Sequence, residues 1–182
     1  EMAKPGETNV LIVRVVGPIT LSDKTVDGIK AMETPQWRAG ISGGIWQGVS
    51  LVATDDLYLE DVHVQPSFSE KTVDFHLAMD HAGLKQKEAS IQVVISEAKD
   101  GKEVASVMIS KHLHPGVNKH SLSLAVPNAH SWSPASPNLY HADVKVSSEG
   151  QLSDSYSGRF GFREFTIRDK DFYLNGKPIY LK

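Results

Sequence analysis

Lys71-Thr-Val-Asp-Phe-His-Leu-Ala-Met-Asp80 is the stretch on which the fold turns. Val73, Phe75, Leu77 and Met79 fall on one side of an extended chain, while Asp74, His76 and Asp80 fall on the other. Successive side chains of a strand point to opposite faces, so this run reads as a strand with one buried and one solvated face. The same alternation recurs from Leu57 onward in seven runs: 57–65, 71–80, 90–97, 102–110, 119–126, 138–147 and 151–162. No window of eleven or more residues keeps apolar positions at helical spacing, so the chain reads as all-β. Seven short strands in about a hundred residues predict a β-sandwich.

Asp100-Gly101 and Glu149-Gly150 stand between consecutive runs, where glycine supplies the positive φ of a tight hairpin. Both pairs of runs are therefore expected to be antiparallel neighbours. Before Leu57 the pattern changes to a strand at 8–16, an irregular stretch at 17–44 and a second strand at about 45–54. Two strands do not bury a core, so this segment reads as the end of a preceding domain. After Phe162, the run Asp171-Phe-Tyr-Leu is separated from Lys177-Pro-Ile-Tyr-Leu by Asn175-Gly176, the strongest short hairpin signal. There is no internal repeat and no low-complexity segment.

The 182 residues carry 19 lysines and arginines against 22 acids, a formal charge of −3 that argues against nucleic acid as a partner. Apolar residues make up 40%, enough for a real core, and there is no cysteine to form a disulfide, a thiolate metal site or a thiol nucleophile. No apolar run approaches the ~18 residues of a membrane span, and the first residues lack the apolar core of a signal peptide. A soluble protein is expected, with the compartment left open; a periplasmic or secreted parent fits.

Side chains able to carry chemistry are sparse. His112 and His114 would project to the same side of a strand end, but no third ligand lies at short spacing and two ligands make a poor site, so no metal is expected. His76, His81, His120, His130 and His141 border apolar positions and read as surface residues. Gly40-Ile-Ser-Gly-Gly44 lacks the spacing and the following helix of a nucleophile elbow. Asp55-Asp56 and Glu60-Asp61 are adjacent residues that point to opposite faces, not carboxylates facing one another across a bond. No phosphate loop is present, and no cofactor is expected. The tryptophans are the informative positions. Trp37 and Trp46 flank the glycine cluster and either stack on a sugar ring or fill a core. Trp132 precedes a strand, with Pro134 and Pro137 stiffening the approach, and suits core or domain-junction packing.

Several phrases, in order, resemble the front part of glycoside hydrolase family 2, the family of β-galactosidases, β-glucuronidases and β-mannosidases. Lys4-Pro-Gly-Glu-Thr-Asn-Val-Leu-Ile-Val-Arg-Val15 resembles a late strand of the family's sugar-binding jelly roll, and Gly43-Gly-Ile-Trp-Gln-Gly-Val-Ser-Leu51 its closing strand, with Gln47 in place of the common arginine. Asp61-Val-His-Val-Gln-Pro66 resembles the first strand of the immunoglobulin-like second domain. Trp132-Ser-Pro-Ala-Ser-Pro-Asn-Leu-Tyr140 and Arg159-Phe-Gly-Phe-Arg-Glu164 resemble that domain's signatures, and Phe172-Tyr-Leu-Asn-Gly-Lys-Pro-Ile-Tyr-Leu-Lys182 the lead-in to the catalytic barrel.

The resemblance implies three parts: a jelly-roll remnant at 1–56, an immunoglobulin-like sandwich at 57–165 and a hairpin at 166–182 leading to a barrel that this chain does not contain. It places both catalytic glutamates in that barrel, so the chain alone is expected to be a non-catalytic scaffold. Its partners are then the remaining jelly roll and the barrel of a parent glycosidase, taken as β-galactosidase-like, a retaining exo-β-glycosidase. Some family members place a jelly-roll carboxylate near the active site just before a Trp-Arg pair; here Thr34-Pro35-Gln36 precedes Trp37-Arg38.

In Arg159-Phe-Gly-Phe-Arg-Glu164 the two phenylalanines share one face, and Arg159, Gly161 and Arg163 share the other. Gly161 then marks a bulge or a close approach. Trp132, Pro134, Pro137, Tyr140, Phe160, Gly161, Phe162 and Arg163 are the expected junction residues. The alternatives are an independent carbohydrate-binding module with a weak sugar contact at Trp37 and Trp46, or a module that pairs through exposed strand edges, as in a homodimer.

Overall fold

Alternating apolar side chains need a second apolar face to cover them, and in this chain seven strands supply it to one another. The computed structural model describes Lys4, residues 6–15, the strand pairs 25–26 and 29–30, residues 44–45 and residues 47–180. The chain divides into two compact units, Glu1–Val52 and Ala53–Lys182.

In the first unit, β1 (Thr25–Val26) and β2 (Ile29–Lys30) form an antiparallel pair. The strands expected at 8–16 and about 45–54 are not formed where those residues are described, at 8–15, 45 and 47–54. Alternation alone does not make a strand; a ladder and a covering face do, and Val10, Leu11, Ile12 and Val13 are largely exposed.

The second unit begins with β3 (Leu57–Ser67), β4 (Thr72–His81), β5 (Lys87–Glu97), β6 (Glu103–Leu113) and β7 (Gly116–Ala125). The short strands β8 (Trp132–Ser133) and β9 (Ser136–Pro137) precede β10 (Tyr140–Ser148) and β11 (Gln151–Phe160). Sheets in the order β3-β4-β7 and β11-β10-β5-β6 make the sandwich, all pairings antiparallel, with a long strand at each of the seven expected runs. The arrangement is the three-plus-four division of an immunoglobulin-like sandwich. Both expected hairpins are present. Glu149 and Gly150, at φ 53° and 78°, form the two-residue loop between β10 and β11.

Val73, Phe75, Leu77 and Met79 are all buried and belong to one apolar core with Ile91, Val93 and Ile95 of β5 and Ala142, Val144 and Val146 of β10. Each larger side chain contributes about 1.5–3 kcal/mol of burial. His81 is a correction: expected at the surface, it is 3% exposed. It has the parity of 73, 75, 77 and 79, and a neutral ring is satisfied at both nitrogens, Nε2–H donating to the Lys85 carbonyl (2.8 Å) and Nδ1 accepting the Gly83 N–H (3.3 Å), which makes burial tolerable.

Beyond the sandwich, β12 (Phe165–Arg168), β13 (Asp171–Leu174) and β14 (Lys177–Ile179) form a separate antiparallel sheet. The Asn175-Gly176 hairpin is there, with both residues at positive φ, 50° and 75°. β12 was not expected: Phe165-Thr-Ile-Arg168 reads as a connection until β13 supplies its ladder.

Candidate functional site

Ser131-Trp132 and Phe162 come together where the sandwich gives way to the third sheet. Phe162 does not continue β11; the strand ends at Phe160, and Phe162 makes an isolated parallel bridge with Ser131. The Trp132 N–H donates to the Phe162 carbonyl at 2.9 Å. At the bend, a Cβ on Gly161 would lie 3.1–3.2 Å from Trp132 Cβ, Cγ and Cδ1, so this glycine allows a close approach of the indole side chain.

Phe162 is fully buried, Tyr140 nearly so, and Phe160 is half-buried. Tyr140 meets Phe162 edge-on at 5.2 Å between ring centroids and stacks on Phe160 at 5.7 Å, geometries that add about 0.5–1.5 kcal/mol per pair to their burial. The Tyr140 hydroxyl oxygen accepts the His130 N–H at 2.9 Å, the tie of a tyrosine corner at the start of the sixth long strand. Pro137 pairs with Trp132 across β8 and β9, and Pro134 is exposed in the turn between them. Arg163 is exposed and holds its Cζ 5.4 Å from the Trp132 ring centroid. Thus six of the expected junction residues, Trp132, Tyr140, Phe160, Gly161, Phe162 and Arg163, form one cluster. Trp37 and Trp46 lie outside the described residues.

Two residues not singled out from sequence tie the third sheet to this cluster. The Glu164 N–H donates to Asn175 Oδ1, the Asn175 N–H donates to the Glu164 carbonyl, and Asn175 Nδ2 donates to the Trp132 carbonyl, each at 2.8 Å. The Glu164 carboxylate reaches back to the β3–β4 turn, where Oε1 accepts from Ser67 Oγ, Ser69 N–H and Ser69 Oγ, each at 2.9 Å. Burial, the largest single influence, acts to raise this carboxyl; the bonds from Ser69 and Ser67 together outweigh it and hold the group below its ordinary range. The available signal was Asn at the first position of the Asn-Gly turn. Its backbone role hid the fact that its amide is also free to bond.

At the far end of the sandwich Lys87 Nζ lies 3.0 Å from Asp56 Oδ1, and that bond, ahead of other influences, lowers the Asp56 carboxyl. Glu164 and Asp56 are therefore both driven down, opposite to the direction a general acid needs. Among the described residues no three metal-ligating side chains gather, and no helix is long and apolar enough to cross a membrane.

Known proteins share this architecture. A β-galactosidase from Thermoanaerobacterium thermosulfurigenes is 28% identical over 145 residues, 77% of this chain and 20% of that protein. The crystal structure of a glycosyl hydrolase family 2 member from Bacteroides cellulosilyticus superposes with a TM-score of 0.64 at 20% identity, over 71% of this chain and 17% of that one. A β-glucuronidase from Bacteroides uniformis superposes at 0.59 and 20% identity, over 69% and 17%. The chain thus spans about a fifth of the length of the relatives it matches. The model of the family described as Glycosyl hydrolases family 2 matches residues 57–163, the seven-stranded sandwich and the Trp132–Phe162 cluster together; the chain belongs to that family.

Proposed function

We propose that this chain is a non-catalytic scaffold within a longer family 2 glycosidase, and that the sandwich sets the direction in which the chain leaves it. The observation that carries this reading is the Asn175 clamp, which bonds the third sheet both to Glu164 and to the Trp132 carbonyl. A sheet held by short bonds to a buried aromatic cluster exits at a defined angle, whereas a free linker would not. The aromatic cluster is then the junction. In this reading residues 1–56 are jelly-roll, 57–165 the sandwich and 166–182 the lead to a barrel carrying the acid and nucleophile of retaining hydrolysis. The parent is a β-galactosidase-like enzyme of carbohydrate metabolism, soluble and acting in the periplasm or outside the cell.

The direct test is to assay the purified 182-residue chain against p-nitrophenyl β-galactoside, β-glucuronide and β-mannoside. No turnover is expected; hydrolysis that co-purifies with the chain and disappears on substituting one of its own carboxylates overturns the scaffold reading. Sequencing the gene on both sides of this segment tests the parent, which is expected to encode further jelly-roll strands and a barrel with two strand-end glutamates.

A further inference from the structure

We infer that the outer face of the Trp132 cluster is a binding site for a carboxylate-bearing sugar. An open depression of about 440 Å³ lies there, lined by Pro66, Trp132, Leu139, Phe160, Gly161 and the arginines Arg159 and Arg163. That volume falls within the range of small-ligand sites, roughly 300–1,000 Å³.

Its chemistry is one-sided. Among the described residues no carboxylate lines the depression, and neither guanidinium has an ion-pair or hydrogen-bond partner. The nearest acid in the adjoining depression, which also borders Arg159, is Glu97, and it is engaged by Lys99. Arg163 holds its Cζ 5.4 Å from the Trp132 ring centroid, and a guanidinium over an indole keeps N–H donors available. Such an edge matches a carboxylate in bidentate fashion, and Arg159 supplies a second positive charge to the same space. Pro66, Leu139 and Phe160 line the same space and offer apolar surface for the C–H face of a pyranose.

A pyranose that carries its own carboxylate, a sugar acid, presents both groups on one small molecule. The inference rests on these side chains, not on the scaffold reading. The clamp uses the Trp132 carbonyl and leaves its ring to this depression.

The test is an ¹⁵N-resolved NMR titration of the 182-residue chain with methyl β-D-glucuronide, methyl β-D-glucoside and acetate. Saturable shifts at Trp132, Arg159, Gly161 and Arg163 are expected with the glucuronide at millimolar concentration, with binding at least about tenfold weaker for the neutral glucoside and for acetate. Arg159→Ala and Arg163→Ala should each weaken glucuronide binding about tenfold or more, while Arg168→Ala, which removes equal charge elsewhere, leaves it unchanged. Arg163→Lys, which keeps the charge but loses the fork, should also weaken it and stands in if the alanine variant fails to fold. Equal response to glucoside, equal response to acetate, indifference to Arg159 and Arg163, or no saturable shift each overturns the site.

Discussion

Glu164 and Asn175 exchange hydrogen bonds in both directions, backbone N–H to side-chain Oδ1 one way and backbone N–H to carbonyl the other, at 2.8 Å each. Residues eleven apart are thereby held as one unit, and the Asn175 amide passes the restraint on to Trp132. Asn175→Gly preserves the positive φ of the turn but removes the two side-chain bonds. It should cost about 1–3 kcal/mol, mostly as local opening of the third sheet. Amide exchange at Thr166, Tyr173 and Leu174 should accelerate while the Ile91–Ile95 amides keep their protection.

Glu164 gives the unit a pH dependence. Its folded-state carboxyl lies below the ordinary value of 4.5. A lowered folded value means that the stabilising contribution is complete above the ordinary value and is lost as pH falls from there through the folded value. Glu164→Gln should therefore be less stable at neutral pH by about 1 kcal/mol and show a flatter loss of stability below about pH 4.5. Urea denaturation of both proteins from pH 7 down to pH 3 reads this directly; parallel profiles would contradict it.

Gly161 is needed for space, not for an unusual φ. Alanine there brings a Cβ to 3.1 Å from Trp132 and forces the indole or the bend to give, at about 1–3 kcal/mol. In a Trp132→Ala background the same substitution should cost much less, and a double-mutant cycle measured by chemical denaturation isolates the coupling.

Phe162 lies outside the strands yet is fully buried, so truncation leaves a cavity among Tyr140, Phe160 and the core. Phe162→Ala should lose about 3–5 kcal/mol. Tyr140→Phe keeps the ring packing and loses only the acceptor for the His130 N–H, so it should lose about 1 kcal/mol. Thermal unfolding of the two variants separates cluster packing from corner hydrogen bonding.

The sandwich was legible in the sequence because its strands are half-buried and alternate, as at Val73, Phe75, Leu77 and Met79. The same rule extended one step would have placed His81 inside; its polarity concealed a parity that the Lys85 carbonyl and the Gly83 N–H make tolerable in the interior. At 8–15 the reverse happened: the apolar residues alternate or run together, yet local pattern cannot say whether a ladder partner exists. Amides of residues 10–15, which form no strand ladder, should accordingly exchange faster than those of 73–79. The junction was legible as residue types, since paired phenylalanines around a glycine announce packing. The clamp was not, because a side-chain bond from Asn175 to Trp132 spans 43 positions and leaves no trace in spacing.

A scaffold role requires the third sheet to be held rigidly by the sandwich. Residual dipolar couplings of the backbone amides in weakly aligned protein measure this without any substrate or partner. One alignment tensor fitting both 57–160 and 165–179 is the predicted result, with separate tensors emerging in Asn175→Gly. Two different tensors in the unaltered protein would contradict it, because a sheet that reorients on its own cannot set a direction for anything attached to it.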